Sequence, residues 1–243
     1  MKLLKKLFSK KEEKTQTRCS LILVAAGTAS RMKGVDKVFF ELGDMPLFIH
    51  SLIPFQDSDL IEEIVIITRQ DILAQVGHLC KVYGINKVTR VVCGGDSRTE
   101  SVLKGLDEVN SKVDLVAIHD AARPFVTREV LEEAIQRASV TGAAAPGIPV
   151  KDTVKLASHG IVKETLPREQ LFAIQTPQVF EINLIKGAIR KAISDEAQLT
   201  DDCSAVERIG FHVVITEGNE KNMKLTTPND LLLAQAIFAE GRH

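Results

Sequence analysis

Ser20-Leu21-Ile22-Leu23-Val24-Ala25-Ala26, running straight into Gly27-Thr28-Ala29-Ser30-Arg31-Met32, is the stretch on which the fold turns. The apolar run is too short for a helix, and a glycine loop closes it. It reads as a strand buried on both faces, which requires cover on both sides. Working outward, Glu63–Thr68 (EIVIIT), Val88–Val92 and Asp114–His119 are further apolar strands. Helical stretches separate them: Pro46–Phe55, Asp71–Val82, a helix capped by Ser97 or Thr99 and running through Val109, and one from Thr127 through Ala138. Thr127 is a good N-cap, and Glu129 in the first turn suits the helix dipole. Strands and helices in alternation predict an α/β fold, with a mainly parallel sheet covered by helices on both faces.

Residues 150–168 break that rhythm. Two short polar alternations flank Ser158-His159-Gly160, the pattern of a β-hairpin with too little apolar content for a core of its own. It is expected to protrude as an arm and to lie against something else. Beyond it come a strand at Phe172–Gln175, helices near Ile182–Ile193 and Asp201–Ile209, a strand at His212–Thr216, and a last helix from Thr227 or Pro228 to Phe238.

The chain has 243 residues, 44% of them hydrophobic and 26% charged, with a formal net charge of −1. That near-neutrality hides an asymmetry. Residues 1–18 carry seven Lys+Arg against two Asp+Glu, a net of +5, which leaves −6 on the rest. We read 1–18 as a basic leader and 19–243 as one domain. Leu3, Leu4, Leu7 and Phe8 share a helical face opposite lysines, so the leader reads either as a weak anchor for an anionic lipid surface or as a solvated tail. The solvated tail is preferred over membrane contact, and the segment lacks the apolar core of a signal peptide. An acidic body argues against nucleic acid as partner. Cys19, Cys80, Cys93 and Cys203 show no C-x-x-C pair and no zinc spacing, which suits a reducing, cytoplasmic setting.

Ligands of open α/β sheets bind beyond the carboxyl ends of the strands, so the chemistry is sought in those loops. After the first strand, Ala25, Ala26 and Gly27 let backbone N–H groups approach a phosphate, and Arg31 and Lys37 supply positive charge. The loop is neither a dinucleotide fingerprint nor a P-loop. Gly94-Gly95-Asp96-Ser97-Arg98, with Ser101 beyond it, is either a plain turn and cap or a ring of polar groups that reads a base or ribose. His119-Asp120-Ala121-Ala122-Arg123-Pro124 ends a strand. Asp120 there is a hard oxygen ligand suited to Mg²⁺, Arg123 a partner that orients it, and His119 a buried, hydrogen-bonded histidine rather than a base. Asp152-Thr153 and Arg168 flank the hairpin, Thr176-Pro177-Gln178 follows a strand, and Lys224 lies in Asn222-Met223-Lys224-Leu225-Thr226-Thr227-Pro228. Lysines and an arginine converging with a metal would stabilise a transferring phosphate without a covalent nucleophile. The absence of G-x-S-x-G and H-E-x-x-H leaves hydrolase and zinc readings without support.

Taken in order, A-A-G-x-x-S-R-M…K, G-G-D-S-R…S, H-D-A-A-R-P, D-T, T-P-Q, T-D-D and N-M-K-L-T-T-P-x-D resemble the 2-C-methyl-D-erythritol 4-phosphate cytidylyltransferase family from Leu21 to about Asp230. The resemblance implies a Rossmann-like nucleotidyltransferase fold with an arm that makes a homodimer. It implies transfer of CMP from CTP to the 4-phosphate, with Mg²⁺ and release of pyrophosphate. It further implies that Arg31 and Lys37 surround the triphosphate and that Lys224 stands beside the α-phosphate. Ala25, Ala26, Gly27, Gly95, Asp96 and Ser101 match nucleotide-binding positions, and Asp120 matches the metal ligand. Arg123, Thr153, Arg168, Thr176 and Thr200 match positions near the methylerythritol phosphate, Thr153 and Arg168 reaching across from the partner's arm. Two positions depart from the pattern: Ala29 stands where a second loop glycine is usual, and Asp36 where a proline is usual. One rival is ribitol 5-phosphate cytidylyltransferase, which tends to carry Ser-Val where this chain has Ala121-Ala122. The other is a nucleotide-binding protein without catalysis, against which Arg31, Lys37, Asp120 and Lys224 stand together.

Overall fold

The computed structural model describes residues 17–27 and 37–241. In chain order the elements are β1 (Cys19–Val24), β2 (Glu41–Leu42), β3 (Met45–Pro46), α1 (Leu47–Asp57), β4 (Ile61–Thr68), α2 (Leu73–Val82), β5 (Val88–Cys93), α3 (Arg98–Glu108), β6 (Leu115–Asp120) and α4 (Arg128–Thr141). They continue with β7 (Ala143–Pro149), β8 (Lys155–Ser158), β9 (Ile161–Thr165), β10 (Phe172–Ile174), β11 (Gln178–Glu181), α5 (Ile182–Ser194), α6 (Asp202–Arg208), β12 (Val214–Glu217) and α7 (Pro228–Glu240).

The main sheet has eight strands in the order β10-β7-β11-β6-β1-β4-β5, with β12 paired to β7. β1 lies parallel between β6 and β4, and β5 continues the parallel set beyond β4. β11 runs antiparallel between β6 and β7, while β12 is parallel to β7. The sheet is therefore mainly parallel, as expected. Alternation along β1 sends Leu21 and Leu23 to a core face shared with α1, α2 and α4. Ile22 goes to the opposite face, under α3, α5 and α6. A third cluster joins Leu42 and Leu47 to Leu225 and Leu231, and so seats α7 against the β2–β3 hairpin. Close packing is achieved at Gly105 of α3, where a Cβ would stand 2.9 Å from both Ile22 and Ile67.

Most expected elements are found with ends shifted by a residue or two. The exceptions have two causes, composition and length. β7 reads Ala-Ala-Ala-Pro-Gly-Ile-Pro, a composition poor in strand formers, yet its first five residues are buried and it carries neighbours on both edges. Its strand character comes from its partners, not from its residues. β11 is only four residues long, and β2 and β3 are two each.

The arm exists as expected. β8 and β9 form a separate two-stranded sheet, with His159 and Gly160 at φ 51° and 77° making the tight turn between them. Leu156, Ile161 and Val162 on it are exposed by 51%, 71% and 56%.

Candidate active site

The parallel strands end level with one another: Val24 is in register with Ile67 of β4 and Asp120 of β6, and Thr68 with Cys93. Successive strands depart from β1 to both sides, so the loops beyond it open a crevice. A cavity of about 440 Å³ fills that crevice, lined by Val24–Gly27, Gly95–Arg98, Ser101, Asp120–Ala122, Lys224 and Thr226, with Val38 at its side. The walls are built by strand-end hydrogen bonds. Ala25 N donates to Ile67 O at 2.7 Å, Ala121 N to Val24 O at 3.1 Å, and Gly94 N to Thr68 O at 2.9 Å. Gly94 has to be glycine for space: a Cβ there would lie 2.8 Å from both Ala26 Cβ and Ser101 Oγ. Ser101 Oγ accepts from Gly95 N and donates to Ser97 O, which fixes the bend that leads into α3. Ser97 is the N-cap of that helix, its side chain accepting from Glu100 N.

Asp120 is the electrostatic centre. Its Oδ2 lies 2.8 Å from Lys224 Nζ and 3.8 Å from Arg123 Nε, and its Oδ1 lies 3.5 Å from Arg98 Nη2. Burial pushes this carboxyl up, but Arg98, Lys224 and Arg123 together outweigh burial and bring it down to about 2. Arg98 is itself held by a bidentate pair on the buried Asp202, at 2.8 and 2.7 Å. Burial works against its charge, and the Asp202 carboxylate more than offsets this.

Beneath Asp120 the hydrogen bonds form a closed chain. Asp120 N donates to Thr176 Oγ1 at 3.1 Å, Thr176 Oγ1 lies 2.9 Å from His119 Nδ1, and His119 Nε2 lies 3.2 Å from Arg123 O. Since the threonine hydroxyl accepts from Asp120, it donates to Nδ1, and the ring proton sits on Nε2 facing the carbonyl. His119 is the buried, hydrogen-bonded histidine expected, and burial brings its pKa down to about 4, so the ring is neutral. Gln178 fastens the next layer: its Oε1 accepts from Asp202 N and Cys203 N, and its Nε2 donates to Asp201 Oδ2.

The structure thus brings Ala25, Ala26, Gly27, Gly95, Asp96, Ser101, Asp120 and Lys224 around one cavity. Arg123 is buried beside it with Nη1 on Asn222 O at 2.7 Å, and Thr176 is buried below it. Thr153, Arg168 and Thr200 are exposed and do not line the cavity; Arg168 Nη1 donates to Lys151 O at the base of the arm. Arg31, Ala29 and Asp36 lie outside the described residues, as do residues 1–16 of the leader. Lys37 is described only through its backbone, in the short 3₁₀ turn Lys37–Phe39. Arg98, Asp202, Gln178 and Asn222 carry site geometry but were not singled out in the sequence. They stand inside the quoted motifs, yet no spacing rule links Arg98 to a partner 104 residues away.

All four cysteines are free. Burial pushes the Cys19 and Cys203 thiols up, and that of Cys80 up to about 12. Among the described residues, no three His, Cys, Asp or Glu side chains gather to hold a metal, and no helix is long and apolar enough to cross a membrane.

A mainly parallel sheet with a charged, small-residue cavity at the level ends of its strands is a Rossmann-like arrangement, and the solved structures on which it superposes make the fold that of a nucleotidyltransferase. A sequence model of the 2-C-methyl-D-erythritol 4-phosphate cytidylyltransferase family matches residues 19–240, and the chain belongs to that family. It is 43% identical over 222 residues to the 2-C-methyl-D-erythritol 4-phosphate cytidylyltransferase of Halalkalibacterium halodurans, covering 91% of this chain and 97% of the relative. The enzyme of the same name from Clostridium novyi is 42% identical, covering 89% of this chain and 95% of the relative. Among solved structures, the 4-diphosphocytidyl-2C-methyl-D-erythritol synthase of Anaerococcus prevotii superposes with a TM-score of 0.83 at 28% identity, covering 92% of this chain and 99% of that one. The Thermus thermophilus cytidylyltransferase gives 0.73 at 29% identity, covering 89% and 96%.

Proposed function

We propose that this protein transfers CMP from CTP to 2-C-methyl-D-erythritol 4-phosphate. A phosphate oxygen of the substrate attacks the α-phosphorus of CTP. The bond to the β-phosphate breaks, pyrophosphate leaves, and 4-diphosphocytidyl-2-C-methyl-D-erythritol forms. The observation that carries this reading is Lys224 standing on Asp120 at the edge of a cavity walled by Ala25–Gly27 and Gly95–Ser101, in a chain of this family.

The small-residue loop and the Gly95–Ser101 segment hold the cytidine through backbone groups and the Ser101 hydroxyl. Lys224, with Arg31 and Lys37, stabilises the negative charge that moves toward pyrophosphate. Asp120 would be the protein ligand of Mg²⁺ once the triphosphate draws Lys224 from its Oδ2: a lone carboxylate suits a metal whose remaining ligands are water and substrate phosphates. When bound, the metal would neutralise triphosphate charge. Thr200 serves the methylerythritol phosphate side, and Arg123 and Thr176 act on it through Asp120, which both hold from beneath. Thr153 and Arg168 reach the site of a second copy in a homodimer built through the arm, a role supported by the exposed apolar residues of β8 and β9. The free cysteines fit a cytoplasmic setting.

Pyrophosphate release tests the reading, with CTP against 2-C-methyl-D-erythritol 4-phosphate and, separately, ribitol 5-phosphate. Turnover confined to the branched substrate is expected. Preference for ribitol 5-phosphate, or no release with either, would overturn it.

A further inference from the structure

Asn222 is fully buried although it lies in a loop two residues before Lys224. Its Nδ2 donates to Thr176 O at 3.0 Å and to Gln175 Oε1 at 3.3 Å. Its Oδ1 has no hydrogen-bond partner among the described residues, so the amide NH₂ is what the side chain contributes. Gln175, 4% exposed, grips the same loop from the other end: its Nε2 donates to Asn219 O at 2.8 Å and its Oε1 accepts from Asn219 N at 3.2 Å. On the far side of the lysine, Leu225 N donates to Ala122 O at 2.9 Å. The backbone of Lys224 is thereby moored upstream to the turn after β10 and downstream to the loop after β6. The Lys224 side chain is 42% exposed, so packing does little to place it. Its ammonium is held by Asp120 at 2.8 Å, and the place of its Cα bounds how far the flexible stem can carry it.

We propose that Asn222 is a positioning residue for the transfer reaction: its buried amide, clamped on Thr176 and Gln175, sets the place of Lys224. The proposal rests on the reading of Lys224 as the group that stabilises the triphosphate. Asn222 touches neither substrate nor reacting atoms. A hydrophobic residue of similar size would fill the space but leave Thr176 O unpaired and Gln175 Oε1 with Asn219 N alone, and the loop would be held upstream only by Gln175 on Asn219 and Arg123 on Asn222 O. A displacement of about 1 Å in a charged group at a reacting phosphate is enough to lower the rate by ~10².

The test is a double-mutant cycle on the full chain. Asn222→Ala is measured alone and with Lys224→Ala, by kcat and KM for CTP, by calorimetric CTP binding and by thermal unfolding. Asn222→Leu, alike in branching and without the donors, serves if the alanine variant does not fold. We expect kcat to fall by ~10–10² while the CTP Kd stays within about twofold, because the cytidine walls are untouched. In the Lys224→Ala background the same substitution should have little further effect, since the group it positions is gone. Losses that multiply in the double variant would overturn the proposal, as would a lowered melting temperature with unchanged kcat. Near-normal kcat in Lys224→Ala alone would instead overturn the functional reading beneath it.

Discussion

Lys224 and Asp120 are 2.8 Å apart, and the carboxylate faces Arg98 and Arg123 as well. Positive charge is in excess around one acid, the arrangement a triphosphate would complete. Replacing Lys224 with alanine is expected to lower kcat by ~10²–10³, the usual loss for one charge-stabilising contact, with the fold retained. Steady-state kinetics on protein with a native melting curve checks this, and a change below fivefold would contradict the role. Arg98 predicts a different kind of defect. Asp202, 1% exposed, depends on it for a bidentate pair, and removing one partner of a buried pair costs ~3–5 kcal/mol because the other charge stays buried. Arg98→Ala should therefore unfold at distinctly lower denaturant concentration than Lys224→Ala, whose lysine is half exposed. Equal midpoints for the two would mean that the Arg98–Asp202 pair contributes nothing.

Beyond the end of β5 only glycine fits at position 94, because a Cβ there would stand 2.8 Å from both Ala26 Cβ and Ser101 Oγ. Gly94→Ala would push the nucleotide loop and the first turn of α3 apart. Overpacking of this kind typically costs ~1–3 kcal/mol. The larger effect should be on CTP affinity, since both displaced segments wall the cavity. Calorimetry against CTP decides it, and an unchanged Kd would show that the loops are not packed this tightly. Elements also show where sequence reading succeeds. β1, β4 and β6 were legible because short apolar runs bounded by loops have few other uses, Thr127 caps its helix as its chemistry required, and the structure chooses Ser97 over Thr99 and Thr227 over Pro228 as caps. β7 was illegible because alanine, proline and glycine carry no strand signal. It is extended because β10, β11 and β12 pair with it.

The molecule as a whole should be acid-labile, for reasons traceable to His119 and Asp120. His119 titrates near 4 in the folded chain against an ordinary 6.5, so the unfolded chain takes up the proton first. Its contribution is complete above pH 6.5 and is lost as pH falls toward 4, a difference of ~3 kcal/mol. Asp120, held at about 2 against an ordinary 3.8, adds a second loss below pH 3.8. Denaturation midpoints should fall steadily from pH 7 to 4.5. A flat profile over that range would show that His119 is not buried as a neutral ring. Assembly is testable at the same level. If Arg168 of each arm serves the other copy, mixing inactive Lys224→Ala with inactive Arg168→Ala protomers should restore part of the activity, because mixed dimers hold one intact site. No recovery after proven subunit exchange would exclude shared sites.

The alternation of apolar runs with capped helices, the glycine loop after β1, and the motifs bearing Asp120 and Lys224 are local patterns. Local physics suffices to read them: burial periodicity, cap chemistry and charge at strand ends all act over a few residues. The pairing of Arg98 with Asp202, the hydrogen-bonded chain through His119 and Thr176, and the clamp of Asn222 on Gln175 join segments far apart in the chain. They form only when the sheet brings the ends of β6, β10 and β5 to one edge. Each depends on the distances and burial that packing creates, and the order of residues along the chain carries no record of those.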